Sequence, residues 1–309
     1  MNVIKLHVQF LIAFFLMYGL MHGKEYGGQS MVAPLKKVLV RKPDCTFGFA
    51  DPSVWHYTMQ PNFQKALDEH EAIVKILQDQ GVEVVYHDNP LPFHADAIFV
   101  HDPAIITDFG AIILQMGKEM RRGEEQSIKN SLLSFNIPIL CELSGAATAE
   151  GGDMLWITEN ILAIGRGFRT NQAGIDQIRA ALQPFGVQVL QFDLPYDQGP
   201  EACLHLQSLI SFVDYKKAVV YLKYLPVAFL ELLQQQQIDL LLVPDNEYFT
   251  MAPNILAIKP NVVLMLENNV KTIAMLQNAG CIVYTYQGNE LSLKAEGGAT
   301  CLTRPLLRE

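Results

Sequence analysis

From Met31 onward the apolar positions follow two rhythms. Lys37–Arg41 (KVLVR) has the β-branched content of a strand. Between Asn62 and Gln80 the apolar residues Phe63, Ala66, Leu67, Ile73 and Leu77 recur near helical period, and Gly81 closes the stretch. Val82–Tyr86 (VEVVY) then alternates as a strand. The same phrase, a helix ending in Gly or Asn followed by a β-branched run, returns at FNIPILCEL, FGVQVLQFD, QQIDLLLVP and AGCIVYTYQ. With Val82, Ile137, Val187, Ile238 and Cys281 as equivalent points, the steps are 55, 50, 51 and 43 residues. Two short apolar runs and a helix precede each return, such as IFV then AIIL, or LWI then ILAIG. The pattern predicts an α/β architecture of five strand–strand–helix–strand units. A doubly wound sheet would repeat strand–helix at shorter intervals. Cyclic packing of five units would gather their end residues at a central axis.

Composition narrows the function. Half of the 309 residues are hydrophobic and 18% are charged, so the chain can bury a large core. Its formal net charge of −9 argues against nucleic acid as a partner, which needs a basic face, and suits a small cationic substrate. Cys45, Cys141, Cys203, Cys281 and Cys301 are widely spaced, with no C-x-x-C pair, so neither a disulfide framework nor a structural metal site is expected. One of these thiols is a candidate nucleophile.

The first thirty residues differ from the rest. Phe10–Met21 (FLIAFFLMYGLM) matches a signal-peptide core and is short for a membrane span. No small-x-small cleavage site follows, and the preferred reading is upstream sequence translated ahead of a true start at Met31. The expected organisation is a leader, 1–30, and a single catalytic domain, 31–309, that does not engage a membrane. A cytoplasmic location follows from that reading; a genuine signal segment would instead mean export or tethering. The sequence leaves open whether the domain acts as a homo-oligomer.

Four stretches carry polar residues that core packing does not explain. In FVHDPAIIT, His101 and Asp102 interrupt an apolar run before Pro103. In AEGGDMLWI, Glu150 and Asp153 flank two glycines; His205 opens the apolar run of CLHLQSLIS; Cys301 follows a Gly-Gly turn in EGGATCLTRPLL. Singly, these suit caps, turns, a satisfied core histidine and an inert thiol. Together they supply a thiol, an imidazole and carboxylates, each beside a strand-like segment of a different unit. Carboxylates beside a thiol oppose its ionisation unless a cation intervenes, and a guanidinium is such a cation. The set therefore fits cysteine attack on a guanidinium carbon better than peptide hydrolysis.

Over about residues 35–308 these motifs, with GFRTN and FDLPY, resemble the guanidino-group-modifying enzymes. That group comprises arginine deiminases, dimethylarginine dimethylaminohydrolases and amidinotransferases on the five-bladed α/β propeller called the pentein fold. The resemblance implies a hydrolase that uses no metal or other cofactor and converts arginine or an N-methylated arginine to citrulline, with amidino transfer to an acceptor amine as the alternative. A non-catalytic binding protein on the same fold would not be expected to keep all these residues. By the resemblance Cys301 is the nucleophile, His205 the general acid–base and Glu150 its acidic partner. Asp102 grips the guanidinium, Arg121 and Arg169 clamp the α-carboxylate, and Asp96 is a further substrate contact. Asp153 either touches substrate or fixes the EGGD turn. Two departures stand out. Gln207 occupies the place of an aspartate usual in arginine deiminases, and His101 stands where arginine or glutamate is common. The TRPLL ending after Cys301 is closer to the deiminases. The aromatic segment Asp44–Tyr57 is either a lid or a packed surface loop.

Overall fold

The computed structural model describes residues 24–200 and 202–309. Among them fifteen strands form five three-stranded sheets. The strands are β1 (Leu35–Val40), β2 (Glu83–Tyr86), β3 (Ala104–Thr107), β4 (Gly110–Ile113), β5 (Ile139–Glu142), β6 (Met154–Thr158), β7 (Ile161–Arg166) and β8 (Gln188–Asp193). They continue as β9 (Ile210–Asp214), β10 (Lys217–Val220), β11 (Asp239–Leu242), β12 (Leu256–Lys259), β13 (Val262–Leu266), β14 (Ile282–Tyr286) and β15 (Arg304–Arg308). In four sheets a hairpin of two antiparallel strands is followed by a helix and a third strand, parallel to the second. The fifth sheet pairs β1 antiparallel to β15 and parallel to β2, so the last strand completes the first unit. The sheets are the blades of an α/β propeller, the expected pentein fold.

The crossovers are made by α1 (Phe63–Asp79), α2 (Glu124–Ser134), α3 (Gln172–Leu182), α4 (Val227–Gln235) and α5 (Val270–Asn278). Asn62 caps α1 by accepting from the Lys65 amide, and the helix buries Ala66, Ile73, Val74 and Leu77. The repeated phrase has one local cause. Gly81, Asn136, Gly186, Gln237 and Gly280 all take positive φ, from 57° to 86°, and turn the chain out of a helical segment into the third strand. Beyond α1, α2, α4 and α5 the next amide folds back onto the helix's last turn: Val82 to Leu77, Ile137 to Leu132, Ile238 to Leu233, Cys281 to Leu276. This is a left-handed cap, with an apolar residue following it.

In four blades the middle strand is buried almost throughout, because a helix covers one face and neighbouring blades the other. Leu39, Ile106, Ile113 and Leu306 pack together, joining the closing strand β15 to the first two blades. Each such fully buried side chain contributes roughly 1.5–3 kcal/mol.

Three expectations need comment. The IFV run is not a strand: Ile98 ends a 3₁₀ turn, Ala95–Ile98, and Phe99 and Val100 lie in the loop before β3. The first strand of that unit is AIIT, which begins after Pro103, a residue that cannot donate to a ladder. Segment Asp44–Tyr57 packs as two short helical turns, Cys45–Gly48 and Pro52–Trp55, with Phe47, Trp55 and Tyr57 buried. The expected leader lies outside the described residues up to position 23. Within the remainder, the Gly27 amide donates to Leu306 and its carbonyl accepts from the Arg308 amide. The Gln29 side chain bridges Glu159 and Asp108.

Candidate active site

Five segments that lead into the first strand of a blade converge on one cavity of about 210 Å³. Asp102 stands before β3, His205 before β9, Asn254 before β12 and Cys301 before β15, and all four line it. Glu150, before β6, is fully buried behind them. The fold gathers these chain-distant groups because every blade presents the same end to the axis.

Glu150 anchors the arrangement. Its Oε1 accepts from the amides of Gly117 and Lys118, both at 3.0 Å, and its Oε2 lies 2.8 Å from His205 Nε2 and 3.5 Å from Arg169 Nη1. Burial opposes its ionisation, but His205 and the arginines hold the carboxyl well below the usual range. Burial likewise opposes a charge on His205, yet the nearby Cys203 sulfur, Asp153 and Glu150 raise its pKa well above 6.5. Glu150 and His205 thus form a buried carboxylate–imidazolium pair at neutral pH. Both glycines of EGGD have negative φ; what they supply is proximity. A Cβ on Gly151 would overlap the His101 carbonyl, and one on Gly152 would overlap the His205 ring.

Asp102 accepts from Arg121 Nη1 at 2.6 Å and from the Gly152 amide at 3.0 Å. Burial works against its charge, and Arg121 followed by His205 outweighs it, so the pKa is lowered. Cys301 sits in a tight turn in which Leu302 donates back to Gly298. Its Sγ accepts from Asn254 Nδ2 at 3.1 Å, while Asn254 Oδ1 accepts from the Thr300 amide. Burial, reinforced by Asp102, pushes the thiol up to about 11. The sulfur is therefore protonated at neutral pH until a positive charge enters beside it.

Of the expected residues, Asp102, Arg121, Arg169, Asp96, His205 and Cys301 line the cavity. Arg121 is heavily committed: Nε and Nη2 clasp Glu124, Nη2 also donates to the Phe99 carbonyl, and Nη1 holds Asp102. Asp96 accepts from Tyr57 Oη at 2.8 Å and Lys118 Nζ at 2.6 Å. Asp153 is fully buried and not on the cavity wall; it accepts from the Leu206 amide and from Thr170 Oγ1, bracing the turns that carry His205 and Arg169. Gln207 and His101 bond to each other at 3.1 Å, and neither lines the cavity. Among the described residues no group of three or more His, Cys, Asp and Glu side chains is placed to hold a metal ion.

Sequence reasoning missed Asn254, Lys118 and Cys203. Cys203 Sγ lies 3.5 Å from His205 Nδ1 and also lines the cavity. Lys118 Nζ lies over the Trp55 ring, 5.2 Å from its centre, closing one wall. Asn254 had a usable signal: it is the polar residue just before β12, the place that Asp102, His205 and Cys301 hold in other units.

The family model described as N,N dimethylarginine dimethylhydrolase, eukaryotic, matches residues 53–308. The chain belongs to this family. It is a pentein enzyme of the guanidino-group-modifying superfamily. It is 26% identical over 246 residues to an N(G),N(G)-dimethylarginine dimethylaminohydrolase of Pseudomonas aeruginosa, covering 79% of this chain and 89% of the relative. It is 25% identical over 296 residues to an arginine deiminase of Mycoplasma capricolum subsp. capricolum, covering 80% and 72%. In fold it is similar to a solved structure of the Pseudomonas aeruginosa enzyme complexed with citrulline, with a TM-score of 0.74 and 23% identity over 88% of this chain and 99% of the other. No helix among the described residues is long and apolar enough to cross a membrane.

Proposed function

We propose that this enzyme hydrolyses the guanidino group of arginine or an N-methylated arginine through a covalent intermediate on Cys301, releasing citrulline and ammonia or a methylamine. The observation that carries this reading is that Cys301, Asp102 and His205 line one cavity, with Glu150 2.8 Å behind the His205 imidazole; burial and Asp102 favour a protonated thiol there. Such a site favours a substrate that brings its own positive charge. The names of the relatives, dimethylaminohydrolase and deiminase, agree on arginine-type substrates and differ in leaving group.

In the proposed course Asp102 pairs with the guanidinium and places its carbon against Cys301 Sγ. The incoming cation lowers the thiol pKa, the thiol proton passes to solvent water, and the thiolate adds to the guanidinium carbon. His205 gives a proton to the departing amine, the C–N bond breaks, and a thiouronium remains on the enzyme. His205, now neutral, takes a proton from water; the hydroxide adds to the same carbon, the C–S bond breaks, the hydroxyl proton returns to the freed Cys301 sulfur, and the ureido product leaves. Glu150 holds the imidazole in line for both transfers. Arg169 and the remaining Nη1 proton of Arg121 meet the substrate α-carboxylate. Asp96 acts mainly through Lys118 and Tyr57, shaping that end of the cavity.

The test is a substrate panel of arginine, monomethylarginine, dimethylarginine and agmatine, assayed for ureido product with the wild type and Cys301→Ser. Citrulline from an arginine, little turnover of agmatine, and a Cys301→Ser variant that binds but does not turn over support the reading. Near-full citrulline production by Cys301→Ser overturns it. Ornithine plus a new guanidino compound when glycine is added would mean amidino transfer instead.

A further inference from the structure

Behind the loops of the catalytic cavity lies a second, smaller one of about 30 Å³. His101 and Thr300, the residues just before Asp102 and Cys301, line it, as do Ser30, Gln207, Arg304 and Arg308. It shares no lining residue with the catalytic cavity.

Arg304 and Arg308 are each 7% exposed. Among the described residues neither has a carboxylate within ion-pairing distance, unlike Arg121, which has two. Their hydrogen bonds go to backbone carbonyls: Arg304 Nη2 to His101, Arg308 Nη1 to Ala33 at 2.7 Å and Arg308 Nη2 to Ala257 at 2.8 Å. The Nε atom of each is buried with no partner. Carbonyls satisfy donors but do not neutralise charge. The nearby carboxylate of Asp102 is already held by Arg121 and the Gly152 amide. Burial draws both guanidiniums down to about 9, and Arg308 adds to the effect on Arg304, yet both stay cationic at neutral pH. Two like charges withdrawn from bulk solvent with no carboxylate partner are among the costlier arrangements a core can hold.

We infer that the cavity lined by Arg304 and Arg308 is a binding site for a small monovalent anion of chloride size, which neutralises the buried arginine pair. The size follows from the volume, since a single water needs roughly 10–15 Å³ on this scale, so 30 Å³ admits a halide but not a phosphate ester. Gln207, Ser211 and Thr300 also line the cavity but donate to the carbonyls of Met154, Pro253 and Ile255, so the two guanidiniums supply the charge and the free donors, while Ile105, Met154 and Phe212 exclude bulkier ligands. The site bears on the catalytic loops through one link. Arg304 holds the carbonyl of His101, whose amide donates to the carbonyl of Cys301.

The wild-type protein carries the primary test: thermal unfolding in chloride and in gluconate at constant ionic strength. Chloride should raise Tm saturably, by roughly 2–5 °C at ten times its dissociation constant, and gluconate, too large to enter, should not. Crystals grown in bromide should give an anomalous peak in this cavity, against the guanidiniums. Arg308→Gln, which keeps hydrogen-bonding capacity without the charge, should lose the chloride dependence. Identical Tm in the two salts together with no bromide peak overturns the site, whether or not the variant folds.

Discussion

Replacing Asp102 by asparagine should have opposite effects on two reactions of the same cysteine. The carboxylate contributes, after burial, to raising Cys301 from the ordinary 9.0 to about 11. Two pKa units mean about a hundredfold less thiolate than an ordinary thiol would show at pH 7.5. Asp102 accounts for the smaller part of that rise, so Asp102→Asn should increase the thiolate fraction by about three- to tenfold. Iodoacetamide is neutral and needs only the thiolate, so it should alkylate Cys301 faster in the variant by that factor. Chloroacetamidine is cationic and should react more slowly, because its pairing partner is gone. Turnover of arginine substrates should fall at least a hundredfold for the same reason. The assay is second-order alkylation of Cys301, followed by mass spectrometry from pH 6 to 10, with circular dichroism to check the fold. Slower iodoacetamide labelling at an unchanged thiol pKa would refute the electrostatic account.

Cys203→Ala should lower the pKa of His205, since the Cys203 sulfur is the largest influence raising it. The alkaline limb of the kcat/KM profile should then move to lower pH, and an unmoved limb would remove Cys203 from the acid–base apparatus. Gly152→Ala should displace the His205 ring from Glu150, cost roughly 10²-fold in kcat and lower Tm, because it separates a buried charge pair; a fully active alanine variant would contradict the close approach. His87 is buried and held down to about 4 by burial and then by Arg41. Its folded pKa lies below the unfolded 6.5, so its contribution is complete above pH 6.5 and lost as pH falls towards 4. That is about 3 kcal/mol, and His87→Asn should flatten the acid limb of a Tm-versus-pH curve.

The repeat was legible because its cause is local. A left-handed cap at Gly81, Asn136, Gly186 or Gly280 and the β-branched run behind it sit within a few residues of each other. Even Gln237, an unusual residue for that conformation, left the phrase readable. The IFV run misled because its apolar residues are buried by the chain around them and not by a ladder, a difference that composition does not encode. The EGGD glycines were legible as a turn but not in purpose: the steric demand comes from His205 and His101, which reach them from other units.

The chain order of polar and apolar residues was enough to specify five α/β units and to nominate a thiol, an imidazole and carboxylates at their ends. Folding settled which of these face one another. Asp153 and Gln207 turn away from the cavity to brace the loops, Arg121 is largely consumed by Glu124 and Asp102, and Asn254 and Cys203 take their places beside sulfur and imidazole. The partners of Asp153 and Asn254 come from other blades, 53 positions away for Asp153 and Leu206 and 47 for Asn254 and Cys301, while Cys203 and Arg121 meet theirs within one unit once its loops are folded. Local propensity reaches only a few residues along the chain. The axis of the propeller gives these distant groups one shared, water-poor space, and there burial and charge set their chemistry.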